Sequence, residues 1–312
     1  MPSASRLLSV DGVFSAHRSR QDRVMTRQRW LILGASGWFG RTALSIAPPD
    51  ADVLPIGGPS SGQFPQWSES LVTDFAPTHV FGCAFLTKEK LAHLPLTEYL
   101  EINRILIDRF HFAGALPSCV GAISISSGSV VTDPGHPYSQ GKALEEAATA
   151  DLVDENRGAV VLRAYSVTGP FVQRIHDYAF SNLLAQGLTG QTPIRVESAH
   201  EVWRRYTDVS ESLNVCMNLL KPGDFRLVES GGTLVELQEL AHLIGQELGV
   251  SVASRKEPEG EPSSYASDNS SWKRACDELQ FQPSDLKGQL RKTLFGCNYS
   301  TQIRASSPMP RE

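Results

Sequence analysis

The apolar residues of this chain gather in short runs, separated by longer stretches in which they recur every three or four positions. Trp30-Leu31-Ile32-Leu33, Val53-Leu54-Pro55-Ile56, Val80-Phe81-Gly82-Cys83-Ala84, Ala122-Ile123-Ser124-Ile125 and Ala159-Val160-Val161-Leu162 each read as a strand buried on both faces. Helical stretches lie between them. This alternation predicts βαβ units and hence an α/β protein with a Rossmann-type, doubly wound parallel sheet of five strands. The first helix begins after Gly40, and Pro48-Pro49 stops it.

Past residue 170 the order loosens into a helix-rich region with short strands, read as a smaller C-terminal α/β domain. Its clearest helix is expected to begin at Thr233, whose hydroxyl caps while Glu236 reaches back. Leu237, Leu240, Ala241, Ile244 and Leu248 then share a face, and Gly249 ends the helix. Residues 1–27 and 299–312 are polar with no sustained period and read as a disordered extension and tail. Met25 is a second candidate start. The extension is rich in Arg and Ser like a transit peptide, but Asp11 and Asp22 argue against that role. The expected division is therefore 28–170 for the first domain and 171–298 mainly for the second.

Composition narrows the function. With 312 residues, 41% of them hydrophobic and 20% charged, the chain can bury a full core. A net charge of -5 offers no basic face, so nucleic acid is not expected as a partner. No apolar run approaches the roughly 18–20 residues of a membrane span, and no signal core stands at the N-terminus, which points to the cytoplasm. Cys83, Cys119, Cys216, Cys276 and Cys297 are odd in number and widely spread, so they read as packing thiols. The eight histidines show no paired ligand spacing, and no metal is expected.

Chemistry enters at Gly34-Ala35-Ser36-Gly37-Trp38-Phe39-Gly40-Arg41. A strand running into Gly-x-x-Gly-x-x-Gly and then a helix aims backbone N–H groups and the positive helix end at a phosphate, and glycines let the backbone approach it. The loop is therefore a candidate dinucleotide site. Where an NAD site usually carries an acid, after the second strand, this chain reads Gly57-Gly58-Pro59-Ser60-Ser61. With no acid to repel a 2′-phosphate, and Ser60, Ser61 and Arg41 as donors, the choice between NADP and NAD leans to NADP.

A second constellation lies downstream. Tyr138 and Lys142 stand four apart in a helix opened by Pro137, so both project from one face. An ammonium there can stabilise a phenolate, lowering a tyrosine pKa from about 10 into the range of a general acid or base. Ser127, at a strand end eleven residues earlier, can hold a substrate oxygen beside the tyrosine.

In this order and spacing the sequence resembles the extended short-chain dehydrogenase/reductases, the NAD(P)-dependent sugar-nucleotide epimerases, dehydratases and ketoreductases. The resemblance runs from Trp30 to Leu294 and includes Asn103 in Glu101-Ile102-Asn103, Arg163 through Gly169-Pro170, and Tyr206-Thr207-Asp208-Val209. It implies that Tyr138 moves the proton, Lys142 lowers its pKa and binds the nicotinamide ribose, Ser127 holds the reacting oxygen and Asn103 orders the relay. It places Asp74 and Ala84 along the adenosine and nicotinamide ribose. It makes the second domain the substrate domain, with Arg204 and Arg205 available for a nucleotide diphosphate, and implies a homodimer built on helices carrying Asn103 and Tyr138. Ile105, Leu106, Ile107 and Phe110 fit such a face or the core. Related 4,6-dehydratases carry Asp-Glu directly after the catalytic hydroxyl residue; Gly128 and Ser129 stand here, which argues against dehydration. The expected function is a nucleotide-sugar ketoreductase or epimerase. The alternatives are a reductase of a non-sugar carbonyl and an inactive NAD(P)-binding sensor or scaffold.

Overall fold

The computed structural model describes residues 27–58, 62–190, 192–255 and 259–295. The first half alternates strictly: β1 (Arg29–Leu33), α1 (Trp38–Ile46), β2 (Asp52–Ile56), α2 (Glu69–Phe75), β3 (His79–Gly82), α3 (Leu96–Ala115), β4 (Gly121–Ser127), the short α4 (Ser129–Thr132), α5 (Pro137–Ala150) and β5 (Gly158–Ala164). The second half contributes β6 (Ser166–Thr168), α6 (Ala179–Leu188), β7 (Val202–Asp208), α7 (Val209–Leu219), β8 (Phe225–Glu229), β9 (Thr233–Glu236), α8 (Leu237–Leu248), β10 (Ser263–Tyr265), α9 (Ser270–Leu279) and α10 (Leu286–Phe295).

Six parallel strands form the main sheet in the order β2-β1-β3-β4-β5-β8. Because successive strand residues face opposite sides, β1 feeds two cores. Trp30 and Ile32 pack with Ala43, Val209, Leu213, Cys216 and Trp272 on one face. Leu31 and Leu33 pack with Val72, Phe110, Ala113 and Leu152 on the other. A smaller sheet, β10-β7-β6 with β9 antiparallel to β7, carries a third core of α6, α8 and α10 residues such as Leu184, Leu240 and Leu290.

The alternating pattern predicted five sheet strands, and the sixth, β8, is an edge strand. Its sequence Phe-Arg-Leu-Val-Glu buries only Val228 fully, so it lacks the continuous apolar run of an inner strand. Thr233 does not cap α8. It opens β9 instead, and the Glu236 carboxylate caps the helix by accepting from Gln238 N at 2.6 Å. Gly249 ends α8 in the left-handed conformation, φ 69°. Ile107 and Phe110 are core residues, whereas Ile105 is exposed. Burial pushes the thiols of Cys83 and Cys216 up to about 12 and those of Cys119 and Cys276 up to about 11, as packing cysteines require. Cys297, Met25, the polar extension to residue 26 and the tail beyond residue 298 lie outside the described residues.

The neighbours of β1 are β2 on one side and β3 on the other, so the connections leaving β1 and β3 diverge and open a crevice at their C-terminal ends. The glycine loop closes on itself there. A Cβ on Gly40 would lie 2.1 Å from Gly34 O. The Gly40→Ala variant is therefore expected to lose about 3 kcal/mol of stability in urea unfolding; an unchanged midpoint would show that the loop is looser than this packing requires.

Candidate active site

The chain leaves β1 through Gly34, whose φ is 79° and where a Cβ would lie 2.7 Å from Ala84 N, so that no side chain fits. Gly34 N and Ala35 N both donate to Ile56 O, at 3.0 and 2.9 Å, which anchors the turn to the end of β2. Gly37 then caps α1 in an extended conformation with no side-chain hydrogen bond, and the first turn carries no acid. The first N–H groups of α1 are thus open and at the positive end of the helix, as a pyrophosphate requires. The three glycines divide the work: Gly34 and Gly40 let the loop pack, while at Gly37 a Cβ would meet only Gly34 O, at 3.4 Å. Trp38 and Phe39 send their side chains into the cores, so only their backbone can serve a cofactor.

Ser36 O is held from two sides, by Arg41 Nε at 3.1 Å and by the amide of Gln173. Gln173 belongs to a strap after β6. The next residue, Arg174, pairs with Glu89 at 2.9 Å and donates to Thr87 at 3.1 Å, and Tyr178 meets Trp38 edge-on at 5.4 Å. The strap therefore joins the loop after β1 to the loop after β3, across the crevice.

Ser127 ends β4 and Tyr138 opens α5, whose first turn is set by Pro137 and by the His136 imidazole accepting from Tyr138 N at 3.1 Å. The Ser127 hydroxyl accepts from Ser129 N at 3.2 Å and lies 3.3 Å from the Tyr265 hydroxyl. Burial holds the Tyr138 phenol above its ordinary pKa; a hydrogen bond from Ser127 opposes the rise, and Tyr265, Glu145 and Tyr99 add to it. Lys142 is committed elsewhere. Its ammonium donates to Ile125 O at 2.6 Å and to the buried Glu145 carboxylate at 2.7 Å. Burial nonetheless holds Glu145 above the usual carboxylate range, against the pull of Lys142.

Asn103 is buried but does not touch Tyr138 or Lys142 through any hydrogen bond found among the described residues. Its Oδ1 accepts from Leu86 N at 2.7 Å while Tyr99 donates to Leu86 O at 2.8 Å, so the pair clips the loop that follows β3. The Asn103 amide nitrogen is buried without a partner. Ala84 lies in the same loop, against Gly34.

Two expected ligand-binding residues lie elsewhere. Asp74 is exposed in the last turn of α2, just before β3, and so at the opposite end of the sheet from the crevice. A helix that returns antiparallel to the strands ends at that edge by construction. Arg204 and Arg205 are neighbours on β7 and face opposite sides. Arg205 is used by Ser267 O and Gly232 O at 3.2 and 3.0 Å, whereas Arg204 lies 5.9 Å from the Tyr265 ring centroid and alone borders the site. Ser60 and Ser61 lie outside the described residues.

Tyr265 is the residue that sequence reasoning missed. Its strand pairs with β7, opposite Arg204, and its ring leans on Tyr165 at 5.1 Å, whose hydroxyl donates to Glu229 at 3.2 Å. It reaches Ser127 across 138 positions of sequence, a separation that leaves no local signal. The Tyr165 ring also explains Gly128, where a Cβ would come within 2.4 Å of it.

No family model matches the sequence, and no curated protein sequence does. Solved structures do resemble this one. MoeE5 in complex with UDP-glucose and NAD superposes with a TM-score of 0.66 at 19% identity, covering 89% of this chain and 100% of its own. The UDP-glucuronic acid 4-epimerase of Bacillus cereus in complex with NAD gives 0.66 at 19% identity, covering 89% and 96%. TunA, an NAD-dependent NDP-hexosamine 5,6-dehydratase involved in tunicamycin biosynthesis, gives 0.65 at 17% identity, covering 90% and 99%. The chain has the fold of the extended short-chain dehydrogenase/reductases.

Within that fold, α5 is locked to the sheet by Glu146, which accepts from Ser126 Oγ at 2.5 Å and from Arg163 Nε and Nη2 at 2.8 and 2.7 Å. The Glu146→Ala variant leaves the partly buried Arg163 with only the longer contact to Glu229, at 3.6 Å, and is expected to cost about 2 kcal/mol in urea unfolding. A loss below about 1 kcal/mol would mean that the pair acts like a surface bridge.

Proposed function

We propose that this protein is an NAD(P)-dependent oxidoreductase or epimerase acting on a hydroxyl or carbonyl of a nucleotide-sugar. The observation that carries the reading is the meeting of Ser127, at the end of β4, with the half-buried Tyr138, at the start of α5, beside a crevice floored by the uncapped start of α1. A nicotinamide bound there would supply the hydride acceptor and donor. With that group bound, Tyr138 as its phenolate would take the proton of the substrate hydroxyl during oxidation and, as the phenol, would return it during reduction. Ser127 holds the reacting oxygen, and Arg204 faces the anionic part of the substrate. Residues 28–170 are then chiefly the cofactor domain and 171–298 chiefly the substrate domain.

The strap from Gln173 to Tyr178 favours an enzyme that keeps its cofactor through the cycle, as an epimerase does, over a reductase that exchanges it. NAD is the cofactor in the two solved relatives that bind UDP-glucose or act on UDP-glucuronic acid, by their descriptions, and the lean of the sequence toward NADP finds no support there. Arg41, one of its proposed donors, is engaged with Ser36. Gly128 lies against the Tyr165 ring, which supports reading this site as something other than a 4,6-dehydratase.

Denaturing the purified protein and identifying released nucleotides is expected to yield NAD in near-stoichiometric amount, and incubation with UDP-glucose or UDP-glucuronic acid to yield an epimer. The Tyr138→Phe variant is expected to lose turnover by roughly 10²–10⁴-fold while binding NAD as wild type does; retained turnover refutes the assignment. A requirement for added NADPH would favour the reductase, and a clear preference for NADPH binding would restore the NADP reading. Glu145→Gln removes a negative charge that holds the Tyr138 phenol up. Its pH–rate profile in the oxidative direction, which rises as the phenol deprotonates, is expected to shift to lower pH. A shift to higher pH would show that the Glu145 charge does not hold the phenol up.

A further inference from the structure

An ammonium has three N–H groups, and those of Lys142 are all engaged. One meets Ile125 O at 2.6 Å and one the Glu145 carboxylate at 2.7 Å. The Phe85 ring lies over the third side, its centroid 3.8 Å from Nζ, at cation–π distance. Lys142 therefore has no donor left for a ribose hydroxyl. One of these partners must yield if a nicotinamide ribose is to bind there.

Their mobility differs. Ile125 O is backbone of an inner strand, and Glu145 is 2% exposed within the core of α5. Phe85 is only partly buried and stands in the loop after β3, on the crevice side. Its ring meets Tyr138 edge-on at 5.8 Å and rests on the bare backbone of Gly141, where a Cβ would lie 2.9 Å from Phe85 Cζ. The ring thus covers Tyr138, Gly141 and Lys142 together, the face of α5 that the proposed reaction needs open. Because Asn103 and Tyr99 fix both polar groups of the Leu86 backbone, the movement available to Phe85 is a rotation of its side chain.

We propose that Phe85 occupies the place on Lys142 that a nicotinamide ribose takes, so that its ring competes with the cofactor and must rotate away for binding. This rests on the nicotinamide reading of the site. The ring keeps Lys142 from water while the site is empty, and its departure exposes the ammonium, with Tyr138, only as the cofactor arrives. Phe85 is in this sense a positioning residue for Lys142 and a determinant of cofactor affinity.

The test is calorimetric titration of cofactor-stripped protein with NAD, for wild type, Phe85→Ala and Phe85→Leu, with circular dichroism to verify folding. Removing the ring is expected to tighten NAD binding roughly tenfold. Leucine, which keeps apolar bulk but offers no π face, is expected to fall between and carries the test if the alanine variant does not fold. NAD binding by Phe85→Ala alone, with none by wild type, also supports the proposal. Binding by wild type with equal or weaker binding by the folded variants overturns it and leaves the nicotinamide reading standing. No binding by any of the three proteins overturns both.

Discussion

The site depends on a polar seam between β4 and α5 in the interior of the protein. Four consecutive strand residues each meet the helix or its opening: Ser124 pairs with Thr149, Ile125 O receives Lys142, Ser126 bonds Glu146, and Ser127 faces Tyr138. Buried polar groups are costly unless every member finds a partner, and a helix that slid by one turn would strand all of them at once. Apolar packing tolerates small shifts; this seam does not. It fixes the register of α5 on the sheet, and with it the position of the tyrosine relative to the strand-end serine.

Much of this was legible in the sequence because it is local. The glycine loop, the four-residue spacing of Tyr138 and Lys142, and the proline that opens α5 each lie within a few positions, where backbone geometry translates spacing into direction. The inner strands were legible because burial on both faces demands continuous apolar runs. What escaped depends on contacts distant in sequence or on competition between local structures. Tyr265 reaches the site through the pairing of β10 with β7. Thr233 was a plausible cap until the antiparallel pairing of β9 with β7 drew it into a strand. Asp74 is implied by the family resemblance alone, and the direction of α2 carries it to the far edge of the sheet.

The role of Lys142 also differs from what spacing alone implies. A lysine four residues after a tyrosine shares its helical face, but sharing a face does not decide which partner it takes. Glu145, one turn on, takes the ammonium in the interior, and Phe85 covers it from the crevice side. The charge expected to ease tyrosine ionisation is balanced before any ligand arrives, and burial then governs the phenol.

The contact between Gly128 and Tyr165 bears on how this site can evolve. A side chain at position 128 would collide with an aromatic ring that is itself held by Glu229 and tilted against Tyr265. An acid can enter there only after the ring has been reduced, and reducing the ring first loosens Tyr265 and, through it, Ser127. The two substitutions are coupled, each harmful without the other. A lineage carrying this pair can therefore enlarge position 128 only by way of a smaller residue at position 165, so that the order of the two mutations matters as well as their number.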